Sequence, residues 1–115
     1  MLRRFEPTYQ RRMFETRPLE TQLVDGNGAP LLDLTGYDVN IVILDGATVP
    51  VWYGVGSIVS AAEAKIQYEP TPTDFDTQGS FLVGWWLISG TEQIFWPLVG
   101  YERLEIAYAP TTPPP

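Results

Sequence analysis

GAPLLDLTGYDVNIVI, residues 28–43, sets a corner and a strand side by side, and the fold class follows from how the two are read. Val39, Ile41 and Ile43 alternate with Asn40, Val42 and Leu44 in a short β-branched run, so Asp38–Leu44 is a strand rather than a helix. Upstream, Pro30 cannot continue a ladder and Gly36 permits a tight bend. PLLDLTGY therefore reads as a strand, a kink and a turn that delivers the next strand. Asp33 and Thr35 carry side chains that bond local backbone N–H groups, which makes Pro30, Asp33, Thr35 and Gly36 a structural corner with no catalytic part.

The same signals recur on either side. LETQLV (19–24) runs as a strand into DGNG, whose Asp-Gly and Asn-Gly pairs form turns because glycine accepts positive φ without steric cost. VWYGVGSIV (51–59) is interrupted by Gly54 and Gly56, predicting two short strands or a bulged one. AEAKIQYEP (62–70) sets Ala64, Ile66 and Tyr68 against Lys65, Gln67 and Glu69, the alternation of a strand with one wet face. SFLVGWWLI (80–88), EQIFWP (92–97) and ERLEIAYAP (102–110) complete the series, with Leu104 and Ile106 turned inward and Arg103 and Glu105 outward. Short strands separated by turn signals about every 8–12 residues predict an all-β fold, an immunoglobulin-like antiparallel β-sandwich spanning residues 19–108.

Length and composition agree with one domain. The chain has 115 residues, 44% of them hydrophobic and 13% aromatic, enough for a single core. Neither Cys nor His occurs, which removes disulfides, thiol nucleophiles, the usual zinc ligands and the usual base near neutral pH. No apolar run approaches the roughly 18 residues that span a membrane, and MLRRFEPTYQRR lacks the apolar region of a secretory signal. The net charge of −7 hides a division. Residues 1–17 hold Arg3, Arg4, Arg11, Arg12 and Arg17 against Glu6 and Glu15, a local charge of +3, whereas the rest sets Lys65 and Arg103 against twelve acids, −10.

Residues 1–18 read as an extended basic and aromatic arm that orders on contact, and residues 109–115 as a Pro-rich tail favouring polyproline II. Phosphate would be repelled by the acidic body, so the arm's partner is expected to be protein rather than nucleic acid. Arg3, Arg4, Phe5, Tyr9, Arg11, Arg12 and Phe14 are its candidate contact residues. In FLVGWWLI (81–88) both faces of the strand are apolar, although a sandwich strand needs only one. Trp86, with Trp52, Tyr53 and Trp96, is therefore expected in a subunit interface.

Chemistry has few footholds. Asp74 and Asp76 in TDFDTQG (73–79) have oxygen ligands of the kind calcium takes, but lack the distal Glu of a full loop and read as an Asx-type turn. Glu102 and Glu105 have opposite strand parity and do not converge as an acid–base pair. With no phosphate loop and no nucleophile elbow, the chain is expected to have no enzymatic activity, no metal and no cofactor.

The turn and core residues together carry a resemblance. Asp25, Gly28, Pro30, Asp33, Leu34, Thr35, Gly36 and Val39, then Gly56 and Ile58, Ile66 and Tyr68, then Thr73, Asp74, Asp76, Gly79, Phe81 and Trp85, with Pro97 in the closing hairpin, resemble the N-terminal immunoglobulin-like domain of tailed-phage baseplate upper proteins, a domain that recurs in small virion proteins. The family's namesake continues into a long helical, trimerising region, so the resemblance implies here a stand-alone sandwich. It implies a structural or adaptor piece of a virion, assembled in the host bacterial cytoplasm, whose partners are other virion proteins and copies of itself, in capsid decoration, neck, tail or baseplate. No nucleic acid, membrane or small-molecule substrate is expected. The alternative is a virion-displayed module gripping carbohydrate or another host surface through exposed Trp and Tyr.

Overall fold

Residues 8–109 are described by the structure, a computed structural model, and they contain nine strands and no helix. In chain order these are β1 (Tyr9–Arg12), β2 (Leu19–Gln22), β3 (Asp38–Leu44), β4 (Pro50–Val55), β5 (Ser57–Ser60), β6 (Lys65–Tyr68), β7 (Gly79–Ser89), β8 (Glu92–Trp96) and β9 (Glu102–Ala107). A six-stranded sheet has the order β1-β9-β7-β3-β4, with β8 also on β7, and it faces a three-stranded sheet of order β2-β6-β5. The architecture is all-β and sandwich-like, with no closed barrel.

Length explains the centre of the large sheet. With eleven residues, β7 accommodates two partners in line along one edge, β9 against Gly79–Val83 and β8 against Trp85–Ser89. β8 and β9 thus behave as one strand interrupted by residues 97–101. On its other edge β7 pairs with β3, where Ile41 lies opposite Trp85 and Val39 opposite Leu87. These inward residues interdigitate with Leu19, Ile66 and Tyr68 of the small sheet, and Leu23, Leu34 and Phe75 close the ends. Alternation alone selects this set, since successive side chains leave a strand on opposite faces.

Glycine governs the passage between sheets. The Gly56 N–H donates to the Val39 carbonyl (2.9 Å) as the last bond of β4 to the large sheet, and the chain then enters β5 of the small one. A Cβ at Gly56 would lie 2.6 Å from the Gln67 carbonyl oxygen of β6, so no side chain fits where the two backbones cross.

Two expectations are corrected. The larger sheet is mixed, because β1 runs parallel to β9 with Tyr9 opposite Leu104 and Arg12 opposite Ala107. The described part of the predicted arm is accordingly a sheet edge: Tyr9 is 4% exposed within the core, Met13 packs against the core, and Phe14 donates its N–H to the Phe75 carbonyl (2.9 Å). The cause is local. β9 would otherwise leave its outer backbone groups unpaired, and Tyr9 has both a ring to bury and a hydroxyl to place. Arg3, Arg4 and Phe5, like the tail residues 110–115, lie outside the described residues.

The corner of residues 30–36 keeps its turn, closed by the Tyr37 N–H donating to the Leu34 carbonyl (3.0 Å), but the stretch leading into it is irregular backbone rather than a strand. Pro30 forms a single bridge with Val24. Asp33 Oδ1 accepts from the Thr35 N–H (2.8 Å) and hydroxyl (2.6 Å), bonds that hold its carboxyl below the usual range. Gly36 takes φ 88°, and the buried Leu34 donates its N–H to the Ala61 carbonyl (3.0 Å), tying the corner to the small sheet.

Candidate interaction surface

The face of the six-stranded sheet turned away from the core is itself apolar over β4, β3, β7 and β8. Register assembles it in rows: Tyr53 opposite Val42 and Val42 opposite Gly84; Val55 opposite Asn40, Asn40 opposite Trp86, and Trp86 opposite Phe95. Leu44 opposite Leu82 continues it on one side and Ile88 on the other. At its middle a Cβ on Gly84 would lie 2.1 Å from Phe95 Cζ, so the bare backbone seats the phenyl ring. Phe95 meets Trp86 edge to face (4.9 Å between centroids) and Tyr101 likewise (5.9 Å). Such contacts are worth about 0.5–1.5 kcal/mol each beyond burial. Val42 and Leu44 are buried by their neighbours, whereas Tyr53, Val55, Trp86, Leu98, Val99 and Tyr101 remain open to solvent.

The expected quartet of aromatics does not share this face. Trp52 and Tyr53 are neighbours in one strand and must point oppositely. Tyr53 is 67% exposed on the outer face, while Trp52, opposite Ile43, turns inward and meets Tyr68 edge to face at 5.0 Å. Trp96, opposite Trp85, also turns inward, leaving Tyr53 and Trp86 as the outer pair. Phe95, Tyr101, Val55 and Leu82 join them. The signal for Phe95 was present in the sequence, since it alternates with Trp96.

Toward β9 and β1 the outer face becomes polar. Glu105 accepts from the Ser80 hydroxyl (2.8 Å) and pairs with Arg103 (3.4 Å). The described arginines of the expected arm are engaged within the chain: Arg11 donates to the Pro18 carbonyl (2.7 Å) and lies 5.8 Å over the Tyr9 ring, Arg12 donates to the Tyr108 carbonyl (2.6 Å), and Arg17 pairs with Glu15.

Between the sheets sits a polar centre that the sequence reading passed over. Glu102 has the parity of Leu104 and Ile106, so it points inward. Its Oε1 accepts from the Tyr9 hydroxyl (2.7 Å) and the Trp85 indole N–H (2.8 Å), and its Oε2 accepts from the Thr21 hydroxyl (2.5 Å). Thr21 in turn accepts from the Trp96 indole N–H (3.2 Å). Burial, together with the Glu102 charge, raises the Tyr9 hydroxyl far above the ordinary tyrosine value. The group is a clasp: one carboxylate collects donors from both sheets, and Glu105 points away from it.

A largely apolar cleft of about 450 Å³ is lined by Ile43, Trp52, Phe75, Phe81 and Ile106 together with Asp74 and Asp76. Asp74 is an anchor there. It accepts from the Tyr68 hydroxyl (2.6 Å) and the Thr71 N–H (2.7 Å), while Asp76 accepts from the Thr77 hydroxyl (3.1 Å). Among the described residues no group of three or more His, Cys, Asp or Glu could hold a metal ion. No protein-family model matches the chain, and no curated protein matches it.

Proposed function

We propose that this protein is a structural component of a tailed-bacteriophage virion, an immunoglobulin-like β-sandwich that docks on neighbouring virion subunits through the outer face of its large sheet. The observation that carries the reading is the aromatic cluster Trp86–Phe95–Tyr101, with Phe95 seated on Gly84 and exposed Tyr53 and Val55 in the adjoining rows of the sheet. An extended apolar patch with few charges is the composition of a subunit contact. The order β1-β9-β7-β3-β4 over β2-β6-β5 supports the immunoglobulin-like description, since an edge strand parallel to the last strand and a sheet switch after β4 fit that connectivity. The resemblance to the baseplate upper-protein domain supplies the virion.

Carbohydrate is the less favoured occupant. Sugar recognition sets polar groups beside an aromatic plate, and the strand residues around Trp86 are Asn40, Ile88 and Phe95, of which only Asn40 is polar. The test is incorporation: virions from cells producing Trp86→Asp in place of the wild type, with folding checked by circular dichroism, are assayed for this chain by mass spectrometry. Wild-type chain in the particles and loss of the variant support the reading. Wild-type particles devoid of the chain, or normal incorporation of Trp86→Asp, overturn it.

A further inference from the structure

The large sheet ends at β4, which pairs with β3 on one side and with no strand among the described residues on the other. Register fixes which backbone groups lie on that open side. The Gly56 N–H bonds the Val39 carbonyl, and opposed residues in an antiparallel ladder alternate between hydrogen-bonded and non-hydrogen-bonded pairs. Gly54 and Trp52 therefore face β3, and Tyr53 and Val55 hold their N–H and C=O groups toward the open edge. Native proteins usually protect such edges with charge, and this one has none. Residues 46–62, from the turn before β4 to beyond β5, contain no Asp, Glu, Lys or Arg in a chain of net charge −7.

We infer that β4 is the dimerisation edge of this protein, pairing antiparallel with β4 of a second copy across a two-fold axis. A two-fold at Gly54 sets Tyr53 opposite Val55 of the partner subunit and joins the two large sheets into one. Glycine suits the axial position, because the non-hydrogen-bonded pair there brings two Cα atoms to about 4.5 Å. Charge selects a second copy as the occupant. Of the open sheet edges, β1 would bring Arg11 and Arg12 to a contact with its own copy, β2 would bring Glu20, and β8, which pairs only with β7 among the described residues, would bring Glu92. Only the flank formed by β4 and β5 meets itself without like charges, as an isologous contact requires. Val55 and Tyr53, 78% and 67% exposed, continue across the junction as an apolar row.

The inference does not depend on the virion reading, which uses the Trp86 end of the face. Its test combines mass by light scattering over a concentration series with hydrogen exchange at single amides, on the full chain and on Val55→Lys. The expected result is a concentration-dependent doubling of mass, loss of doubling in Val55→Lys with the fold intact, and Tyr53 and Val55 amides that slow at least tenfold on dimerisation while the Gly56 amide is slow throughout. Monomer mass at millimolar concentration overturns the inference. So does a dimer whose Tyr53 and Val55 amides still exchange as freely as in the monomer, since that contact lies elsewhere.

Discussion

Glu102 is the residue on which three hydroxyl or indole donors converge from strands of both sheets. Glu102→Ala leaves the Trp85 indole and the Thr21 hydroxyl without this acceptor in a half-buried site, and the Tyr9 hydroxyl with only the Glu20 carbonyl (3.1 Å), and should cost about 2–4 kcal/mol. Glu102→Gln keeps one acceptor oxygen and should cost about 1 kcal/mol. Urea midpoints at unchanged m-value measure both, and an alanine variant as stable as wild type would remove the clasp. The tyrosines add a pH signature. Burial first, and then the bonded carboxylate, raises Tyr9 at Glu102 and Tyr68 at Asp74 above the ordinary value near 10. A raised folded value means that the native state holds the proton more tightly. Their contribution is full below about pH 10 and is lost as pH climbs from there toward the folded values, at up to about 1.4 kcal/mol per pH unit per tyrosine. Tyr9→Phe should flatten this fall. Wild-type stability that stays level from about pH 9 to 11.5 contradicts the assignment.

At the level of strands, β1 changes what the N-terminal segment is for. Pairing begins at Tyr9 and Met13 still touches the core, so a deletion of residues 1–17 removes a sheet edge. It should lower the melting temperature by more than about 10 °C, from the lost Tyr burial and its bond to Glu102. A differential scanning measurement of this deletion separates an edge strand from a free arm, which would leave the melting temperature unmoved. β6 and β9 were legible in the sequence because apolar residues alternate with polar ones there, and β3 because its run of residues 39–44 is short and rich in β-branched side chains. β1 was not: Tyr9-Gln10-Arg11-Arg12 offers one apolar residue, too little to show a period, and its place is fixed by β9, distant in sequence. The two glycines of VWYGVGSIV announced the break between β4 and β5, but not that the break carries the chain to the other sheet. Strand parity, already sufficient to place Leu104 inside, also places Glu102 inside and separates Trp52 from Tyr53. It was informative at those positions and went unused.

For the whole molecule, charge and shape act against each other. The acidic body keeps copies apart in solution, while the outer face and the β4 flank invite contact. Repulsion between two chains of net charge −7 acts over the Debye length, about 30 Å at 0.01 M salt and about 10 Å at 0.1 M. The β4 contact contains no ion pair to be weakened, so added salt acts on the repulsion alone. Its dissociation constant should fall about threefold or more between 0.02 and 0.3 M sodium chloride. A contact that set the basic side of β1, with Arg11, Arg12 and Arg17, against the acidic body of a second copy would behave in the opposite way, because salt would screen the attraction that forms it. Sedimentation equilibrium across that salt range thus reads the sign of the interface charge directly. Tighter association at high salt fits two uncharged strands meeting edge to edge, and looser association assigns the dimer to the arginines.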